Sequence, residues 1–317
     1  MKKIIAGLLA ISLLTACGTD ATNNAPAESS QSASTEGQFP RTVKIGDSEV
    51  KIAAKPQRIA ALTADLTSLV LPIAGKDRMV IATELNPELG QVASDAAAVP
   101  TVLKVGAPID PEQILASKPD LVLASARHDA EKDAIAMLKN NGVPMAVIST
   151  DDWGTIDDIL THVDEVAELT GDDAAGAELR KKIEEQRKAN LKQATGEPKV
   201  LTLMHRGGKN LIMPKSTLLN GLVREVGGKP VIDTMGAPGS APADPEAILK
   251  ANPDVIIIQN YRGKGAEDFK PVLENPALAE VPAIKNGKVF YADTVTTGVT
   301  SAERITEGLK QVSEFLS

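Results

Sequence analysis

Asp110-Pro-Glu-Gln-Ile-Leu-Ala-Ser-Lys-Pro-Asp-Leu-Val-Leu123 recurs as Asp244-Pro-Glu-Ala-Ile-Leu-Lys-Ala-Asn-Pro-Asp-Val-Ile-Ile257. The offset from Asp110 to Asp244 is 134 residues without a gap, and seven of the fourteen positions are identical. Both copies read the same way. Asp110 and Asp244 suit a helix N-cap, and Pro111 and Pro245 suit its first position. Pro119-Asp120 and Pro253-Asp254 then break the helix before a short apolar run that predicts a buried strand. One such unit in each half predicts two related lobes.

Outward from the first copy, β-branched runs alternate with helical stretches. Strands are expected at Arg58–Leu62, Met79–Ala82, Leu121–Ala124 and Met145–Ser149, with helices over Asp65–Ile73 and Ala130–Leu138. Such alternation argues for mostly parallel sheet. After Ser149 the pattern becomes purely helical. Ile156, Ile159, Leu160, Val163 and Val166 share one face of a helix over Thr155–Leu169. Gly171 suits its end, and Asp172 or Asp173 suits the cap of the next helix. Residues 174–194 are strongly helix-forming, and their apolar stripe is only Leu179, Ile183 and Leu191, which predicts a bridge solvated on several sides. Alternation then resumes, with strands at Lys199–Met204, Leu211–Met213, Pro230–Asp233, Val255–Ile258 and Val289–Ala292. Helices are expected over Leu218–Val226, Pro245–Ala251 and Ala302–Leu316. The expected organisation is an α/β lobe over 39–155, an interlobe helical segment over 156–196 and a second α/β lobe over 197–317.

The amino-terminal part reads as an address. Met1-Lys2-Lys3 precedes a mostly apolar run from Ile4 to Leu14, about half the ~20 residues that span a bilayer, so a signal peptide over 1–16 is expected. Leu14-Thr15-Ala16-Cys17 resembles a bacterial lipobox, which implies cleavage before Cys17 and lipidation of its thiol. Polar, Ser- and Thr-rich residues 17–38 are expected to form a disordered tether. The folded part is then expected outside the cytoplasm, lipid-anchored to the bacterial cell membrane.

Composition narrows the chemistry. The chain of 317 residues has a net charge of −8, one Cys, three His, four Phe, two Tyr and one Trp. One Cys excludes a disulfide framework and a Cys-rich zinc site. An acidic chain with few stacking rings is a poor nucleic-acid binder. Gly46-Asp47-Ser48 superficially matches the start of an esterase block, but no His follows His205 and no Asp stands three before any His. Gly46-Asp47 is more simply a hairpin turn. No phosphate loop and no Gly-x-Ser-x-Gly elbow occurs, and a non-enzymatic role is expected. Three scattered His also disfavour a bare zinc or manganese ion as cargo.

The acidic Glu-x-Ile-Leu helix followed by a Pro-Asp-apolar strand, once per lobe, resembles the substrate-binding lipoproteins of ABC importers for metal chelates. The Gly142-Val143-Pro144 step, the single interlobe helix and the stretch from Asn275 to Phe290 extend the likeness over roughly Arg58 to Leu316. The resemblance implies a fold like the class III periplasmic binding proteins, with two α/β lobes of mostly parallel sheet and one long interlobe helix. It implies cargo of ferric siderophore, haem or cobalamin, no required cofactor, a monomer, and a permease dimer with its ATPase as partner. It also implies that Glu112 and Glu246 dock on basic residues of the permease.

Ligands of open α/β sheets bind beyond the carboxyl ends of the strands. Thr63, Asp65, Thr83, Glu84, Arg127, His128, Asp151 and Trp153 are expected there in the first lobe. Met204, His205, Arg206, Asn260, Tyr261, Arg262, Thr294 and Thr297 are expected there in the second. Arg127, Arg206 and Arg262 in an acidic chain point to an anionic ligand. His128, His205 and Tyr261 are the candidate iron ligands if the cargo is haem or iron is touched directly, and His162 reads as a helix-surface residue. Some haem-binding members have a strand ending Leu-Tyr-x-Arg-Gly. Here Leu203-Met204-His205-Arg206-Gly207 keeps Arg206 and Gly207 but has Met204 in the Tyr place. That departure leaves either His205 or Met204 to bind iron, or an already saturated ferric chelate as the cargo, and it tilts the reading toward a siderophore. Cobalamin is less favoured, because only Trp153 and Tyr261 are available as cleft rings.

Overall fold

The computed structural model describes residues 37–125, 129–149, 153–236, 239–298 and 302–317. The expected signal peptide and Cys17 lie outside the described residues, as does the expected tether apart from Gly37 and Gln38. The first lobe comprises β1 (Arg41–Ile45), β2 (Ser48–Ile52), β3 (Ile59–Ala61), α1 (Ala64–Ala74), β4 (Met79–Thr83), α2 (Gln91–Ala97), β5 (Thr101–Leu103), α3 (Pro111–Ala116), β6 (Leu121–Ala124), α4 (Asp129–Asn140) and β7 (Met145–Val147). Two helices follow, α5 (Ile156–Thr170) and α6 (Asp173–Asn190). The second lobe comprises β8 (Lys199–Arg206), β9 (Lys209–Ile212), α7 (Leu218–Glu225), β10 (Lys229–Pro230), β11 (Ala241–Pro242), α8 (Pro245–Ala251), β12 (Val255–Asn260), α9 (Gly265–Leu273), α10 (Pro282–Lys285), β13 (Val289–Asp293), α11 (Thr294–Thr297) and α12 (Ile305–Leu316). Among the described residues, no helix is long and apolar enough to cross a membrane.

The first sheet is parallel throughout, in the order β5-β4-β3-β6-β7, and β1 and β2 form a separate hairpin around Gly46-Asp47. The second sheet is mixed. β8, β12 and β13 run parallel, β9 folds back on β8, and β11 pairs antiparallel to β9. The short strands β5 and β11 and the helices α2 and α9 carry too few apolar residues to be expected from periodicity. At Pro230–Asp233 the expected strand is mostly a helical turn, with only Lys229–Pro230 paired to β8.

The duplicated sequence builds a duplicated unit. Asp110 accepts the Glu112 N–H at 2.9 Å, and Asp244 accepts the Ala247 N–H at 2.8 Å, so both act as N-caps. Ile114 and Ile248 are buried beneath their helices, and both Pro-Asp pairs lead into wholly buried strand starts.

A continuous apolar core runs from the first lobe through α5 and α6 into the second, including Leu66, Ile159, Val163, Ile183, Val200, Leu222 and Leu309. Separate clusters fill the outer faces of the two sheets. α5 opens with a reciprocal capping box between Thr155 and Asp158 and closes on Gly171 at φ 72°. Asp172 stands at the N-cap of α6 but makes no side-chain cap bond. Its carboxylate is taken instead by Lys55 at 2.6 Å and by Arg78 through a 2.8 Å contact. α6 buries only Gly176, Leu179 and Ile183, as its thin stripe predicts. Arg187 on this helix holds Asp157 of α5 and Glu225 of α7, each at 2.5 Å.

Candidate functional site

β8 and β9 turn through Gly207 and Gly208, at φ 59° and 73°. Two consecutive positive-φ residues make the tight turn that matches strand twist, and glycine adopts it without steric cost. The strand therefore continues through Arg206, rather than ending at Met204 as expected. Alternation along a strand then separates the candidates. Thr202 donates to Asn220 Oδ1 on α7 at 2.7 Å, and Met204, on the same face, packs against the large core. Leu203 and His205 point the other way, toward the outer cluster and α9. There His205 Nδ1 lies 2.7 Å from Asn210 Oδ1, and Asn210 Nδ2 donates to the Asp268 carbonyl at 3.1 Å. Met204 and His205 thus lie on opposite faces of β8 and do not converge on one point.

Tyr261 and Arg262 do come together. Arg262 sits at φ 54°, which folds its guanidinium over the Tyr261 ring, 5.0 Å from the centroid. Such stacking is a cation–π contact. Tyr261 is 53% exposed, and the loop that follows it is fixed at both ends. Asn260 Oδ1 accepts the Gly265 N–H at 2.9 Å, and the Asn260 carbonyl accepts the Thr294 hydroxyl at 3.0 Å. Arg206 and Lys209 at the hairpin tip, with Arg262 and Lys264 after β12, are all exposed and make no ion pair among the described residues. Lys209 and Lys264 escape sequence reasoning because each looks like an ordinary surface lysine until the two turns place them beside the arginines.

The first lobe differs. Thr63 caps α1, and Thr83 is buried, with its N–H donating to Thr67 Oγ1 at 2.9 Å. Glu84 pairs with Lys104 at 2.8 Å and accepts the Val105 N–H at 3.0 Å. The Lys104 hydrogen bond, helped by that backbone bond, holds the Glu84 carboxyl below its usual range. These groups are occupied in structural work. Trp153 is also not where the sequence suggested. Its ring is 2% exposed and lies 4.5 Å from the His162 ring, in the core rather than on a cleft wall. His162 is buried as well, at 4% exposure, with Nδ1 2.7 Å from Glu165 Oε2, so it is not a helix-surface residue. The helix α5 packs inward on the turn that carries His162, which periodicity of aliphatic residues alone does not register. Arg127, His128 and Asp151 lie outside the described residues.

Glu112 and Glu246 are both exposed and form no ion pair among the described residues. α3 and α8 each run back along their sheets, so both glutamates sit at the carboxyl-end rim of a lobe. A shallow depression lined by Thr195, Glu197, Asp254 and Lys288 lies at the opposite, amino-terminal edge of the second sheet. Among the described residues, no three His, Cys, Asp or Glu side chains form a metal cage.

Two α/β lobes packed on a shared helical segment, with a basic rim at the strand ends of the second, are the architecture of a two-lobed binding protein. Residues 59–296 match the periplasmic binding protein family, and the chain belongs to it. This family consists of extracytoplasmic substrate-binding proteins. The chain is 26% identical over 282 residues to the ferric-anguibactin-binding protein FatB of Vibrio anguillarum, covering 84% of this chain and 83% of that one. It is 26% identical over 337 residues to the petrobactin-binding protein YclQ of Bacillus subtilis, covering 100% of this chain and 99% of that one. Among solved structures it resembles the periplasmic heme-binding protein RhuT from Roseiflexus sp. RS-1, at a TM-score of 0.64 and 21% identity. That likeness covers 82% of this chain and 97% of RhuT.

Proposed function

We propose that this chain is the extracytoplasmic substrate-binding lipoprotein of an ABC importer and that it captures an anionic ferric siderophore between its lobes. The single observation that carries the choice of cargo is the basic rim of the second lobe. Arg206, Lys209, Arg262 and Lys264 stand exposed and without ion pairs among the described residues, in a chain of net charge −8. Arginine forks match carboxylate and related oxygens, and unpaired cations at a cleft rim draw anions inward. Membership of the family and the two siderophore-binding relatives support the same reading. Binding is capture without chemistry, so no cofactor is needed.

Haem is the second reading. It is favoured by Tyr261, exposed and stacked by Arg262, as an oxygen ligand to iron. It is disfavoured by Met204 and His205 lying on opposite faces of β8, which gives no paired ligands from that strand. Titration with haemin decides: a Soret shift that saturates at one equivalent establishes haem, and its absence leaves the siderophore.

In this reading Cys17 carries the lipid anchor, and Glu112 and Glu246 present the loaded protein to a two-subunit permease. The continuous core through α5 and α6 supports small motions between the lobes rather than wide closure.

A further inference from the structure

Most contacts between the lobes pass through α5 and α6. One hydrogen bond does not. Arg304 Nη1 donates to the main-chain carbonyl of Glu88 at 3.0 Å. Among bonds between described residues, it is the one hydrogen bond that joins a first-lobe residue directly to a second-lobe residue. Glu88 follows the carboxyl end of β4, within the helical turn Pro87–Leu89 capped by Asn86. Arg304 follows β13 and α11 and opens α12. The bond therefore spans the two carboxyl-end rims.

The guanidinium is held ready for this. Its Nε and Nη2 are engaged by Glu307, with Nη2 to Oε2 at 2.8 Å, leaving Nη1 directed across the gap. Leu85 and Val92, on either side of the Pro87–Leu89 turn, pack against the large core. β13 is the far edge of the second sheet from the β8–β9 hairpin.

We propose that Arg304 is a strut across one side of the cleft, a positioning residue that sets the spacing of the rims beside β4 and β13. Among the described residues no hydrogen bond joins the lobes near the β8–β9 hairpin, with Arg206 and Lys209, and that side is assigned as the mouth. The strut itself stands on geometry alone, and only its bearing on cargo entry rests on the binding reading above.

Hydrogen exchange and small-angle scattering on the full chain, without ligand, test it. Arg304→Ala is expected to speed amide exchange in residues 86–91 about fivefold, while β8 and the midpoint of thermal unfolding stay unchanged. The radius of gyration is expected to rise in the same variant. Glu88→Ala is expected to change both much less than Arg304→Ala, because the bond goes to a main-chain carbonyl and the Glu88 carboxylate adds only a lesser charge attraction to Arg304. Unchanged exchange in Arg304→Ala overturns the strut. So does equal acceleration in Glu88→Ala, or a uniform rise in exchange with a lowered unfolding midpoint. No ligand enters these measurements, so failure of the siderophore reading leaves the strut standing, and failure of the strut leaves that reading untouched.

Discussion

Asp120 accepts the backbone N–H of Arg58 at 2.8 Å, and its other oxygen accepts that of Gln57 at 2.8 Å. In the second lobe Asp254 accepts the Lys199 N–H at 2.8 Å. The Pro-Asp pair of the repeat is thus a clip. Each Asp stands at the start of one central strand and fastens the start of the strand beside it, setting the parallel register of β3 with β6 and of β8 with β12. Arg58 returns the favour through Nε, which donates to the Lys118 carbonyl at 2.8 Å. Hydrogen bonds to a carboxylate contribute about 1.5–3 kcal/mol each. Asp120→Ala, which loses two, is expected to destabilise by about 3 kcal/mol, and Asp254→Ala by about half that. Urea unfolding measures both, and equal costs would count against the clip.

Acid should weaken the α5–α6 junction. Burial alone would raise the Asp172 carboxyl, but hydrogen bonds from Lys55, Thr170 and Arg78 outweigh it and hold it below its ordinary value of 3.8. A depressed carboxyl contributes stability that is present above the unfolded value and lost as pH falls through the folded one. The expected loss therefore begins near pH 3.8 and deepens below it. Asp172→Asn should be less stable than wild type at pH 7, with the difference closing under acid. A constant gap from pH 7 to pH 2.5 would show that this carboxylate is not the source.

The lobes also approach backbone to backbone where Gly154 meets Ser216 and Gly221. A Cβ on Gly221 of α7 would lie 1.8 Å from the Gly154 carbonyl oxygen, where no side chain can yield. Overpacking typically costs about 1–3 kcal/mol, and a backbone obstacle lies at the upper end. Gly221→Ala is expected to lower stability by at least about 2 kcal/mol. Gly207→Ala is a useful contrast, since open space surrounds it and only its positive φ resists substitution.

If Glu112 and Glu246 grip a permease, reversing either charge should cut transport several-fold while leaving cargo affinity intact. Rim charges act mainly on encounter and salt dependence. Transport assays of Glu112→Lys and Glu246→Lys, paired with binding titrations of the same variants, read the two effects apart. Wild-type transport in both variants would remove the docking role.

Much of this fold is legible in sequence because its signals are local. The repeat supplies its own caps and breaks, so α3, α8, β6 and β12 appear at or close to their expected bounds. Thr155, Gly171 and the aliphatic stripe of α5 do the same. The site is less legible. Whether a residue after a strand lies in a loop or still in the ladder depends on the next turn, and Gly207-Gly208 carries β8 two residues further than expected. Whether Trp153 faces a cleft or a core depends on what α5 brings against it, here His162. The basic rim is assembled from two turns far apart in the chain, and no single stretch announces it.

The most direct measurement is a titration with a panel of anionic ferric siderophores, followed by Trp153 fluorescence. Trp153 is the chain's one tryptophan and is buried beside His162, so quenching there reports energy transfer from a coloured chelate rather than ring contact. Saturable quenching at one equivalent is expected, with affinity reduced at least tenfold in an Arg206→Ala, Arg262→Ala double variant and no Soret shift with haemin. A saturable Soret shift with haemin and no response to any of the ferric siderophores would contradict the siderophore reading.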